Sequence, residues 1–184
     1  MLRAGGVALL PAEGVYGLHA IASSAGAIEK LLALKPREGA KGFIGLIGTP
    51  AEASRYASVG DRAAELIARH WPGALTLVLP AAPDVPASMR HPDGTIALRC
   101  PGNEFLRRTV QLALGIVVST SANRPGDPPM TRVAGFLESA VDLVVDQGEL
   151  PGTVSTVVSV QGEVVRVLRE GAVRIQTGCA RGTP

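Results

Sequence analysis

Ser155-Thr156-Val157-Val158-Ser159-Val160-Gln161-Gly162-Glu163-Val164-Val165-Arg166-Val167-Leu168 is two β-branched runs joined by a Gln-Gly pair. Alternation on both sides of a turn dipeptide predicts a tight hairpin, with strands over 155–160 and 163–168. Upstream the pattern is different. Apolar runs at 7–10, 43–47, 75–79, 95–99, 116–119 and 142–145 alternate with segments of helical period. Early alternation followed by a late hairpin predicts an α+β chain: a mixed sheet covered by helices.

The helices announce their ends. Ser24 is placed to cap a helix carrying Ile28, Leu31 and Leu32 on one face, and Pro36 stops it near Lys35. Asp61 is placed to cap a second helix through Ala64, Ile67 and Ala68, broken by Trp71-Pro72-Gly73. Asn103 opens a third, with Leu106 and Val110 on one face and Gly115 closing it. Thr131 opens a fourth through Val133, Phe136 and Leu137. The proline-bearing stretches 81–94 and 124–129 read as ordered loops, and 181–184 as a frayed end.

The chain has 184 residues, of which 46% are hydrophobic and only 3% aromatic, so the core must be aliphatic. That length suits one domain over 1–184, with no repeat or linker to divide it. The net charge of +2 is too small to argue for nucleic acid by itself. Of 18 basic residues only Lys30, Lys35 and Lys41 are lysines. Cys100 and Cys179 have no CxxC spacing, no run approaches the ~20 apolar residues of a membrane span, and residues 1–6 lack a signal-peptide pattern. A soluble cytoplasmic protein is expected.

Absent motifs narrow the chemistry. There is no GxxxxGK[ST] loop, no GxGxxG, no HExxH and no GxSxG elbow. His19, His70 and His91 are isolated and read as structural or exposed. What remains are polar segments at element ends, where a rigid scaffold usually carries a site. Lys35, Arg37 and Lys41 gather three cations, and Ser119-Thr120-Ser121-Ala122-Asn123 adds three hydroxyls and a carboxamide. Together they suit an anion such as phosphate or carboxylate. Each has a plainer reading: a solvated helix end, or a turn in which Ser and Asn bond their own backbone. Pro11-Ala12-Glu13-Gly14-Val15-Tyr16-Gly17-Leu18 reads as a loop whose glycines permit close approach to a ligand, or as a simple loop with a buried Tyr16. Arg99 fits the surface as well as a site.

With those segments in view, the chain resembles the YrdC-like family, the threonylcarbamoyl-AMP synthases, from about Gly6 to Gly171. The matching stretches are PAEGVYGL at 11–18, LKPREGAKGF at 34–43, WPGALTLVLP at 71–80, IALRCPG at 96–102, VVSTSANRPGDPP at 117–129, STVV at 155–158 and VLREGAV at 167–173. The family's lysine-x-arginine and serine-x-asparagine pair stands as Lys35/Arg37 and Ser121/Asn123. The length is that of the short members, without the extra C-terminal domain of longer relatives.

The resemblance implies an open, twisted mixed sheet around a large, positively charged concave groove. It implies that L-threonine, bicarbonate and ATP give threonylcarbamoyl-AMP and pyrophosphate, for threonylcarbamoyladenosine in tRNA. By resemblance Lys35, Arg37, Ser121 and Asn123 are catalytic. Tyr16, Lys41, Arg99, Ser119, Thr120, Ser155, Thr156 and Arg169 bind substrate or nucleotide. Mg2+ comes with ATP rather than in a protein cage, and the partners are downstream tRNA threonylcarbamoyl-transfer proteins, with RNA contact and no membrane. Ala12 and Gly14 depart from the family's Pro-Thr-(Glu/Asp)-Thr, which bears on threonine recognition. Two alternatives stay open: a non-enzymatic duplex-RNA or ribosome-binding module, and a paralogue acting on another carbamoyl or acyl adenylate.

Overall fold

The computed structural model describes residues 1–35, 43–123, 127–133 and 140–176. The described strands are β1 (Ala8–Pro11), β2 (Tyr16–Ile21), β3 (Ile44–Leu46), β4 (Leu75–Pro80), β5 (Thr95–Arg99), β6 (Val117–Ser121), β7 (Leu143–Val144), β8 (Thr156–Gln161) and β9 (Val164–Arg169). All belong to one sheet in the order β7-β1-β2-β6-β3-β5-β4-β8-β9. It is mixed: β1/β7, β3/β5 and β4/β8 pair parallel, and the other neighbours antiparallel. The helices are α1 (Ala25–Leu34), α2 (Ala53–Tyr56), α3 (Asp61–His70) and α4 (Glu104–Ala113).

Alternation along the strands builds a core on each face. Leu9, Leu18, Ala20, Leu77, Leu98 and Val118 pack with Ile28 and Leu31 of α1 and Leu66 of α3. Ala8, Leu10, Ile21, Leu46 and Val117 pack with Leu106, Val110 and Ala113 of α4. Among the described residues no helix is long and apolar enough to cross a membrane.

The expected caps at Ser24 and Asn103 form: each side chain accepts the backbone N–H three residues on, Ala27 and Leu106. Several details differ from the sequence reading. Tyr16–Ile21 is a fully buried strand, not the tail of a loop. Leu32 is exposed, because α1 turns only Ala27, Ile28 and Leu31 inward. In α3 the buried pair is Ala63 and Leu66, and Gly60 takes the cap position with Asp61 in the first turn. α4 closes on Leu114, a non-glycine residue at φ 58°, one residue before Gly115. The late hairpin turns on Gly162 and Glu163, with Gly162 at φ 57° as the left-handed position. The strand before Asn123 runs through Ser121, two residues beyond expectation. The helix expected beyond Thr131 falls at Phe136 and Leu137, outside the described residues.

Candidate active site

β6 lies between β2 and β3, so its polar end is held on both sides. The two-residue period puts Ser119 and Ser121 on one face and turns Thr120 to the other, where it is buried. Ser119 pairs with His19 of β2 and Ser121 with Gly17. Ser119 Oγ lies 3.2 Å from His19 Nε2. His19 is fully buried, and burial lowers its pKa to about 4, so the ring is neutral at ordinary pH.

Lys35 comes to the same strand end from the C-cap of α1. Its Nζ donates to Ser121 carbonyl O (2.6 Å), Ser121 Oγ (2.8 Å) and Asn123 Oδ1 (3.1 Å). Asn123 Nδ2 in turn donates to the Asp127 carbonyl at 2.7 Å. The lysine and the serine-x-asparagine segment therefore form one cluster. Arg37 and Lys41 lie outside the described residues.

A second cluster centres on Arg99, the last residue of β5. Its side chain is only 11% exposed. Nε donates to the Gly73 carbonyl (3.0 Å) and Nη2 pairs with Glu13 Oε2. Glu13 Oε1 accepts the backbone N–H groups of Gly102 (2.5 Å) and Asn103 (3.4 Å), at the start of α4. Burial alone would raise the Glu13 pKa, but Arg99's charge and hydrogen bond, with the backbone N–H groups, leave it below the usual carboxylate value.

The third cluster joins β9 to β8. Arg169 donates through Nη2 to Ser155 O (2.7 Å) and Oγ (3.0 Å), and through Nε to Ser155 O (3.2 Å). Ser155 Oγ is 3.0 Å from Thr76 Oγ1. Desolvation, and then the Arg99 charge, lower the Arg169 pKa. Arg99 acts on His19 in the same way, so its field reaches both neighbouring groups. The like charges of Arg99 and Arg169 oppose each other, and an anion near them would offset that repulsion.

Three expected site residues use their hydroxyls or bulk inside the fold. Thr120 is buried on the opposite face. Thr156 Oγ1 donates to Val173 O (2.7 Å) and accepts from Val173 N (3.0 Å), pinning the segment after β9. Tyr16 is fully buried, its hydroxyl 2.9 Å from Asp146 Oδ1 and 2.8 Å from Gly148 O while accepting from Gln147 N at 2.8 Å. Glu13, His19 and Gly73 also belong to these clusters. Of the three only Glu13 carries a sequence signal, as the sole acid of the 11–18 stretch.

Gly14 has a local reason. A β-carbon there would lie 2.0 Å from the Thr153 carbonyl oxygen, and Gly152 N donates to Gly14 O at 2.7 Å. Segment 152–153 occupies the space a side chain at 14 would need.

Comparison with known proteins places the chain in a family. The Sua5/YciO/YrdC profile, described as "Telomere recombination", matches residues 1–171. A threonylcarbamoyl-AMP synthase of Alkalilimnicola ehrlichii is 34% identical over 176 residues, covering 94% of this chain and 90% of that protein. E. coli YciO superposes with TM-score 0.85 at 25% identity, over 96% of this chain and 88% of the other. Pyrococcus abyssi Sua5, solved with L-threonine, superposes with TM-score 0.83 at 30% identity, over 92% of this chain. The chain spans about half of that Sua5 (52%). A profile matched across nearly the whole sequence, with relatives sharing about a third of its residues and the same sheet, makes the chain a member of the Sua5/YciO/YrdC family.

Proposed function

We propose that this chain is a threonylcarbamoyl-AMP synthase, converting L-threonine, bicarbonate and ATP into threonylcarbamoyl-AMP and pyrophosphate for threonylcarbamoyladenosine formation in tRNA. The name is carried by relatives such as the A. ehrlichii protein, and P. abyssi Sua5 was solved with L-threonine. The observation that carries the reading is the Lys35 ammonium seated on Ser121 and Asn123.

The chemistry asks for position and charge rather than a nucleophile. The threonine amine takes up carbon dioxide as a carbamate. A carbamate oxygen attacks the α-phosphorus of ATP, and the bond to the bridging oxygen breaks with pyrophosphate leaving. Cys100 plays no nucleophilic part: it is buried, and burial pushes its thiol up to about 11. Lys35, Arg37 and Lys41 hold the threonine carboxylate and phosphates, a role taken from the family resemblance. Ser119, Ser121 and Asn123 meet the nucleotide's phosphates, and Arg99, Arg169 and Ser155 form the opposite wall. Tyr16, Thr120 and Thr156 act from behind, as supports of the segments that line the groove. Among the described residues no three His, Cys, Asp or Glu side chains could hold a metal together, and Mg2+ enters with ATP on its phosphates and water.

The groove belongs to one domain, a reading supported by a single continuous sheet. Cytoplasmic location is part of the same reading, since a thiol like that of Cys100 stays reduced there. The mixed anhydride product is consumed by proteins that transfer the threonylcarbamoyl group to tRNA.

Pyrophosphate release from ATP, measured with threonine, with serine and without amino acid, tests the proposal. Release that depends on threonine and bicarbonate is expected. Release equal in all three conditions, or none, overturns it.

A further inference from the structure

The Glu13 carboxylate joins the turn after β1 to the segment running from Arg99 to Asn103, 86 to 90 residues further along the chain. Oε2 pairs with Arg99 at the end of β5, and Oε1 accepts from Gly102 N and Asn103 N at the start of α4. Glu13 itself stands in the turn between β1 and β2. The neighbouring Asn103 Nδ2 reaches back to Ala12 O at 3.4 Å, so the turn is held at two points. The other contact of Arg99, from Nε to the Gly73 carbonyl, holds the same side of the guanidinium.

We propose that Glu13 is a positioning residue for the synthase reaction: it sets the plane and depth of the Arg99 guanidinium, and so one wall of the nucleotide site. This rests on the reading of Arg99 as part of that wall. The geometry suits the task. A guanidinium is a planar fork, and a carboxylate on Nη2 with a carbonyl on Nε fixes both its rotation and its reach. Nη1 takes no part in either bond, which leaves a donor edge for a phosphate. The Arg99 charge acts on His19 and on Arg169, so a shift of Arg99 redistributes the field across the site. The carboxylate also sits at the positive end of α4 and anchors the arginine against a rigid element rather than a loop. Glu13 touches no reacting atom in this scheme; it acts through Arg99.

A double-mutant cycle on the intact chain tests this, using Glu13→Gln, Arg99→Ala and the pair. The readout is the Kd for Mg-ATP, titrated well below every variant's thermal midpoint, together with KM for ATP against kcat. Glu13→Gln keeps an acceptor for Gly102 N and removes the charge facing Arg99. It is expected to weaken ATP about tenfold or more in the native background, and less than about twofold when Arg99 is alanine. Equal loss in both backgrounds, or a lowered thermal midpoint with unchanged ATP affinity, overturns the proposal. If Glu13→Gln does not fold, Glu13→Asp keeps the charge one methylene back and is expected to fold with weakened ATP binding. If neither variant folds, Glu13 is structural and the proposal fails.

The synthase reading is scored separately on the native protein. Threonine-dependent pyrophosphate release with an additive cycle overturns only the role of Glu13. ATP binding with a non-additive cycle, but no threonine-dependent release, overturns only the synthase.

Discussion

Lys35 Nζ lies 2.6 Å from the carbonyl oxygen of Ser121 and 2.8 Å from its Oγ, although 86 residues separate the two. Asn123 Oδ1 accepts from the same ammonium. An ammonium has three donors on a flexible stem, and here one helix end meets one strand end through them. Lys35→Met keeps the stem and removes the charge. Pyrophosphate release is expected to fall by about 100-fold or more, while the thermal midpoint moves by only a few degrees, because the site is half exposed. Lys35→Arg is expected to fail as well, since a planar fork does not match acceptors grouped around a point charge. Activity near native in either variant would remove Lys35 from the machinery.

Gly14 and Ala12 respond differently to a restored side chain. At 14 a β-carbon meets the Thr153 carbonyl, so Gly14→Ala must displace segment 152–153. Overpacking of this kind costs about 1–3 kcal/mol, and denaturant midpoints of Gly14→Ala should show it. Ala12 is half-buried beside the same turn. Ala12→Thr is expected to leave stability near native and to lower KM for threonine, by the roughly 0.5–1.5 kcal/mol of one hydrogen bond. An unchanged KM means that a hydroxyl at 12 is dispensable in this chain.

The legible parts of the fold were those whose cause is local. Alternating Val and Ser around a Gln-Gly pair specify β8 and β9, and the Ser24 and Asn103 caps specify where α1 and α4 begin. β2 was hidden because Tyr16–Ile21 is buried on both faces and includes Gly17 and His19, so it lacks the period that marks a half-exposed strand. The site divides in the same way. Lys35 and Ser121 each stood out by chemistry, but their contact spans 86 residues, and so does that of Glu13 with Arg99. Spacing carries no trace of such pairs. Only the sheet order, with β2, β6, β3 and β5 side by side, brings them into one region. Thr120 shows the converse: it lies within the most informative motif, yet the pleat turns it inward.

Arg169 grips a single residue, donating three times to Ser155. β9 is the last strand of the sheet, so water can replace these bonds if the arginine is removed. Arg169→Ala is therefore expected to cost no more than about 1 kcal/mol of stability. Its effect belongs to the nucleotide: KM for ATP should rise about tenfold, with kcat less affected, if the guanidinium faces phosphate as well as Ser155. Titrating the variant with ATP checks this. A drop in stability without a change in ATP affinity would confine Arg169 to holding β8 against β9.

His19 makes the fold sensitive to mild acid. Burial lowers its pKa from 6.5 to about 4, so the folded protein resists the proton that the unfolded chain accepts. The sign follows from linkage: the stabilisation is complete above about pH 6.5 and is lost as the pH falls toward 4. Between pH 6.5 and 5 the loss is on the order of 1.5 kcal/mol. The Glu13 carboxylate, whose pKa is lowered, adds its own loss only at still lower pH. Denaturant unfolding at about pH 7.5, 6, 5 and 4, steps that bracket the model-peptide pKa values of histidine and glutamate, separates the two groups. His19→Gln keeps a partner for Ser119 Oγ without a titrating ring. It is expected to flatten the pH 6.5 to 5 slope and leave the steeper fall below it. A variant as acid-sensitive as the native protein in that window would assign the effect to another group, with the partly buried His70 next in line.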